Sequence, residues 1–130
     1  MADWSSINNA FTNRLSTNWS TTDVAWDNVP YESTEGQEWV RAVLLPVTTE
    51  NAAMGTAKKH YGIFWLQVFT PLNSGTGRGY ELAEMLDGIF GNSNFDDVVC
   101  YASEITRTGD DGNGWYQTDV KVNFWSFERN

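Results

Sequence analysis

Few residues in this chain have the type and spacing for covalent or metal chemistry. Cys100 is the only cysteine and His60 the only histidine, and His60 lies far upstream. A thiol nucleophile needs a base beside it, and no motif pairs the two. A lone cysteine also excludes an intrachain disulfide and a cysteine-ligated zinc. The apolar run Val98, Val99, Cys100, Tyr101, Ala102 predicts a small buried hydrophobe at Cys100. His60 opens an apolar segment with no motif partner, which predicts a surface or interface histidine. Glu32, Glu35 and Glu38 could ligate a divalent ion, although a solvated acidic loop is the commoner fate of such spacing. SGTGRGYEL, residues 74–82, stands where a glycine-rich turn would cradle phosphate. The P-loop pattern nevertheless fails, because Gly79-Tyr80 stands in place of Lys-Ser/Thr, and the glycines at 75, 77 and 79 do not form the dinucleotide fingerprint. TGDDGNG lacks the ligand spacing and late Glu of a calcium loop and reads as a hairpin tip. Nucleophile, base and metal ligands never converge, so the expectation is a protein that is not an enzyme and has no cofactor and no metal.

The elements that carry these residues follow from hydrophobic periodicity. Residues 3–19 predict a helix, with Asp3 or Ser5 as cap and Trp4, Ile7, Phe11 and Leu15 on one stripe. Residues 20–36 are turn-rich, with a short strand that puts Val24 and Trp26 on one side. Residues 37–48 predict a strand, in which Pro46 marks an edge or bulge. Residues 48–59 predict a long loop. Residues 60–70, HYGIFWLQVFT, form the strongest strand pattern, with Gly62 permitting close backbone packing; such a strand should be central and covered on both sides. Leu82, Met85, Leu86, Ile89 and Phe90 match an amphipathic helix that Gly91 ends. Residues 97–107 predict a strand. Residues 115–127 predict another, with Tyr116, Val120, Val122 and Phe124 on one face and Gln117, Asp119, Lys121 and Asn123 on the other. The fold class is therefore α+β, a mostly antiparallel sheet of four to five strands packed against two helices, in one domain spanning 1–130.

Composition narrows the function. The chain has 17 Asp+Glu against 8 Lys+Arg, net charge -9. Proteins that grip DNA or an anionic membrane supply more cations. No basic, apolar leader and no run long enough to span a bilayer is visible, so a soluble protein made in a reducing compartment is expected. Aromatic residues make up 15% of the chain, with seven Trp. Trp65 and Phe69 are assigned to the core. Two helices cover only one sheet face, which leaves Trp115, Trp125 and Phe127 for the outer side. Exposed aromatic surface marks a protein interface or a sugar platform. The 48–59 loop and the last strand favour the protein interface. Trp39 and Trp115 remain open between core and interface.

Several of these residues, in order, resemble a known family. Trp39-x-Arg41 precedes a loop; Tyr61-Gly62 and Val68-Phe69-x-Pro71 follow; Gly75-x-Gly77 opens a helix; Trp115-Tyr116-Gln117-x-x-Val120-x-Val122-x-Phe124 closes the pattern. The chain resembles the tail terminator, or tail completion, proteins of long-tailed bacteriophages. The resemblance implies a virion protein of the tail neck, assembled in the host cytoplasm as a ring of six copies. That ring would cap the tail tube, end its polymerisation and present the head-joining surface. Its partners would be itself, the major tail tube protein and the head–tail connector, with DNA passing through without specific binding and no membrane involved. The candidate contacts are Met54, Lys58 and Lys59 in the loop, Trp39 and Arg41 at the strand base, and Trp115, Trp125 and Phe127 at subunit boundaries. The alternatives are another neck protein such as a head–tail stopper, or a small carbohydrate-binding module using exposed Trp.

Overall fold

A computed structural model describes residues 3–51 and 57–128. The chain begins with α1 (Trp4–Asn18), β1 (Asp23–Trp26), β2 (Trp39–Asn51) and β3 (Lys58–Pro71). It continues through α2 (Gly77–Phe90), β4 (Asn94–Phe95), β5 (Val98–Cys100), β6 (Glu104–Asp110) and β7 (Trp115–Glu128). The Asp3 carboxylate caps α1 by accepting from the Ser6 N–H at 2.8 Å, which satisfies one of the free donors of the first turn. This bond holds the Asp3 carboxyl below its ordinary pKa.

The sheet runs β1-β2-β3-β7-β5-β4, with β6 also paired to β7. β1 lies parallel to β2, and the remaining pairs are antiparallel. The α+β class holds, but the sheet is mixed, with one parallel pair, and has seven strands rather than four to five. The short strand expected at Val24 and Trp26 is present as β1, and two differences account for the extra strands. β1 pairs with β2 across only Trp39–Ala42. The predicted 97–107 strand is two strands, β5 and β6, which follow one another along the same edge of the long β7. β4 joins β5 through Asp96 (φ 44°) and Asp97 (φ 66°), the left-handed pair that a two-residue hairpin requires.

The 48–59 loop is also corrected. Thr48–Asn51 pair with Lys58–Tyr61 as the far end of the β2–β3 hairpin, and Met54 lies outside the described residues. Pro46 does sit at a register shift, on the part of β2 that β1 leaves unpaired. At Gly62, an added Cβ would lie 2.7 Å from Phe124 Cζ and 2.9 Å from the Leu45 carbonyl oxygen. Close packing across three strands therefore requires glycine there.

Both helices cover one sheet face. Ile7, Phe11 and Leu15 of α1 and Leu82, Leu86 and Phe90 of α2 are fully buried, against Val40, Phe64, Leu66, Val120, Val122 and Phe124 of the strands. The α2 stripe differs from its prediction at one position: Met85 is 42% exposed, and Gly79 and Ala83 take the inward side. An added Cβ at Gly79 would lie 2.6 Å from Thr118 Oγ1, so the glycine lets α2 approach β7.

Candidate functional site

Alternation along β3 and β7 decides what the outer sheet face carries. On β3, Phe64, Leu66 and Val68 are buried beneath the helices, so Tyr61, Ile63, Trp65, Gln67 and Phe69 point the other way. Trp65 and Phe69 thus lie on the outer face rather than under the helices; Phe69 is nonetheless a buried core residue there, whereas Trp65 is only half-buried. β3 is central, yet its outer face is only half-buried except at Phe69. On β7, Trp115, Gln117, Asp119, Lys121, Asn123, Trp125 and Phe127 share this face.

At one end a second small core forms on the outer face. Ala25, Trp39 and Phe69 are buried, with Tyr31 and Trp115 half-buried against them. The Trp39 and Phe69 rings stack 4.2 Å apart, the Tyr31 ring covers Trp39 at 5.1 Å, and Trp115 meets it edge-on at 6.0 Å. The exposed Arg41 holds its guanidinium 5.3 Å from Trp39 and 5.4 Å from Phe69. Burial, with Asp23 beside it, raises the Tyr31 phenol above its ordinary pKa. These rings border an open groove of about 750 Å³, which Asp27 and Asn113 also line.

Mid-face, the Asp119 carboxylate is buried and accepts from Thr108 Oγ1 at 2.8 Å and Gln117 Nε2 at 2.7 Å. The alternating pattern predicted polar side chains here but not their burial. At the far end cations rest on aromatic rings. Lys59 Nζ lies 4.3 Å from the centre of Trp125 and 5.3 Å from Tyr61, and Lys121 Nζ lies 5.2 Å from Trp65. Trp125 and Phe127 also line a groove with the β4–β5 turn.

The structure thus groups the expected contact residues into two sets. Trp39, Arg41 and Trp115 share one end of the outer face; Lys59, Trp125 and Phe127 share the other. Lys58 is exposed, and its alternation puts it on the opposite side.

His60, expected at the surface or an interface, is buried within the subunit, 3% exposed. Its Nε2 donates to Glu128 Oε1 at 2.8 Å, and its Nδ1 shares a hydrogen bond with the Thr49 hydroxyl at 2.7 Å. The Trp4 ring lies 5.1 Å away. One imidazole therefore ties α1, β2 and β7 together, through partners too distant in sequence to form a motif.

Cys100 is buried, as its apolar surroundings predicted. Burial pushes its thiol up to about 11. At pH 7 the thiolate fraction is then about one in ten thousand. We expect iodoacetamide to leave Cys100 unmodified in the native protein and to alkylate it in urea, followed by intact mass. Equal rates in both states would refute the burial. Of the Glu32, Glu35 and Glu38 carboxylates, Glu38 accepts from Arg78 Nε at 2.8 Å. Among the described residues, no three His, Cys, Asp or Glu side chains are grouped to hold a metal ion, and no helix is long and apolar enough to cross a membrane.

Fold and face together define a small α+β domain whose distinctive surface is an aromatic sheet face bearing cations. A solved structure is similar over 100% of this chain and 99% of its own, with TM-score 0.69 and 20% identity, a likeness of fold. No curated protein matches the sequence. The family model for phage tail terminator protein matches residues 6–124, and the chain belongs to that family. It is a structural protein of the phage tail.

Proposed function

We propose that this chain acts as one domain that assembles into a ring of six copies, caps the tail tube, ends its polymerisation and offers the surface that joins the head. Assembly would take place in the host cytoplasm, and the ring would meet the major tail tube protein on one side and the connector on the other. Family membership supports this reading. The observation that carries it for this chain is the outer sheet face, where Tyr61, Trp65, Trp125 and Phe127 stay half-buried beside Lys59 and Lys121. Subunit interfaces are enriched in such aromatic side chains, and closed assemblies cover them. A net charge of -9 per copy suits a lumen through which DNA slides without being held. A strongly basic inner wall would contradict this.

The test is mass in solution by sedimentation, followed by imaging of the protein on particles. Six-membered rings at the tail end are expected; a chain that stays monomeric, or lies elsewhere on the particle, overturns the reading. Lys58→Glu combined with Lys59→Glu should weaken ring formation or capping, because it removes the cation over Trp125 and Tyr61. Unchanged rings and unchanged capping would take that segment out of the account. The groove beside Tyr31, Trp39 and Trp115 favours the carbohydrate-binding alternative, for which a monomer that binds oligosaccharide is the expected result.

A further inference from the structure

We propose that the outer ridge of α2 in one copy seats on the outer sheet face of the next, with Glu84 meeting Lys121 and the backbone at Gly88 receiving Trp65. This rests on the ring reading and deepens it by naming the two surfaces that meet.

The receiving face is built around Trp65, half-buried on β3. Its indole N–H is screened from water and has no hydrogen-bond partner among the described residues. Lys121 on β7 stands opposite Trp65 across the β3–β7 pair and holds its Nζ 5.2 Å from the ring. Lys121 takes part in no ion pair among the described residues, even with Glu104 opposite it on β6; the pairs are His60–Glu128, Arg78–Glu38 and Arg78–Glu81. A cation over an indole and outside any ion pair, on a chain of net charge -9, suits an acidic partner. The chain's own acidic excess makes a second copy such a partner.

The seating ridge is the solvent side of α2. Tyr80 and Met85 are exposed there, 39% and 42%. Tyr80, Glu84 and Gly88 stand four apart and form one ridge, with Glu81 and Met85 alongside. Arg78 holds Glu81, while Glu84 has no ion pair among the described residues. Gly88 is exposed inside the helix, and a Cβ there would meet nothing within 4 Å. Nothing inside the subunit requires glycine at that place, where alanine is the better helix former. A glycine on an exposed ridge lets another surface approach the helix backbone closely. α2 packs on the covered side of the sheet, so ridge and outer face lie on opposite sides of one copy. The contact is therefore head-to-tail, and it closes into a ring when each step turns.

The test is charge reversal read by sedimentation velocity. Lys121→Glu alone and Glu84→Lys alone should each weaken self-association on the order of tenfold or more, since each juxtaposes like charges. An equimolar mixture of the two should recover it, because alternating copies restore a matched pair at every contact. Gly88→Ala should raise the thermal midpoint of the subunit and still weaken association. Circular dichroism on each variant separates misfolding from lost contact. Single variants that associate like the parent, or a mixture that fails to recover, overturn this pairing while leaving the ring itself standing. A parent chain that never associates overturns the ring.

Discussion

Phe11→Ala is expected to destabilise the protein by about 3–5 kcal/mol, a large share of the ~5–15 kcal/mol that holds a domain of this size folded. Phe11 is fully buried. Its ring stacks on Phe64 at 4.5 Å and meets Phe124 at 4.7 Å, Phe95 at 5.3 Å and Phe90 at 5.9 Å. It is thus the side chain through which α1 reaches β3, β4, β7 and the end of α2. Truncation leaves a cavity among four rings whose backbones belong to different elements and cannot close together. Asn8→Ala, on the exposed side of the same helix, should stay within about 0.5 kcal/mol. Urea unfolding of both variants measures the difference. A Phe11→Ala loss below about 1 kcal/mol would mean that α1 does not seat on the sheet as described.

The same ring shows why the helices were legible in sequence. Ile7, Phe11 and Leu15 recur at helical spacing and all reach the core, because periodicity reports burial directly when one face of an element is wet. Gly62 was legible for a related reason, a glycine inside an apolar strand. The far end of the β2–β3 hairpin was not. Thr48–Asn51 and Lys58–Lys59 are polar, and what makes them strands is backbone pairing continued outward from Val40–Leu45 opposite Ile63–Val68. Side-chain hydrophobicity carries no trace of that. The break between β5 and β6 was hidden similarly, because it depends on β7 being long enough to pair with both in turn.

On the outer face the sequence misled where apolar residues fall at every position. In Phe64-Trp65-Leu66, and again in Val68-Phe69, both faces are apolar, so alternation cannot say which residue points to the helices. In β7 the alternation was clean, and Lys121 and Asn123 do point outward. Gln117 and Asp119 do as well, yet they are buried, because the Thr108 hydroxyl and the neighbouring strands close over them. His60 was missed because Thr49, Glu128 and Trp4 reach it from three elements. Reading the cap at Asp3 needed three neighbouring residues; reading the His60 site needed the whole topology.

Trp39→Ala is expected to cost about 3–5 kcal/mol, and comparison with Trp39→Phe tells why. Trp39 is 6% exposed, although it lies on the sheet face away from the helices. What buries it is Phe69 stacked at 4.2 Å, Tyr31 over it at 5.1 Å and Trp115 at its edge. Removing the indole leaves Tyr31 without its support and takes from Arg41 a cation–ring contact worth about 0.5–1 kcal/mol. Phenylalanine keeps a ring for Phe69 and Arg41 but lacks the indole N–H. That N–H is buried without a partner among the described residues, a burden of about 1–3 kcal/mol. Its removal offsets much of the lost ring area, so Trp39→Phe should fall within about 1 kcal/mol of the parent by urea unfolding. A loss above about 3 kcal/mol would show that the indole N–H does find an acceptor in the folded protein. Being covered within its own subunit, Trp39 should also leave self-association unchanged as Trp39→Phe. A folded Trp39→Phe variant that no longer associates would move Trp39 from the small outer core to the contact between copies.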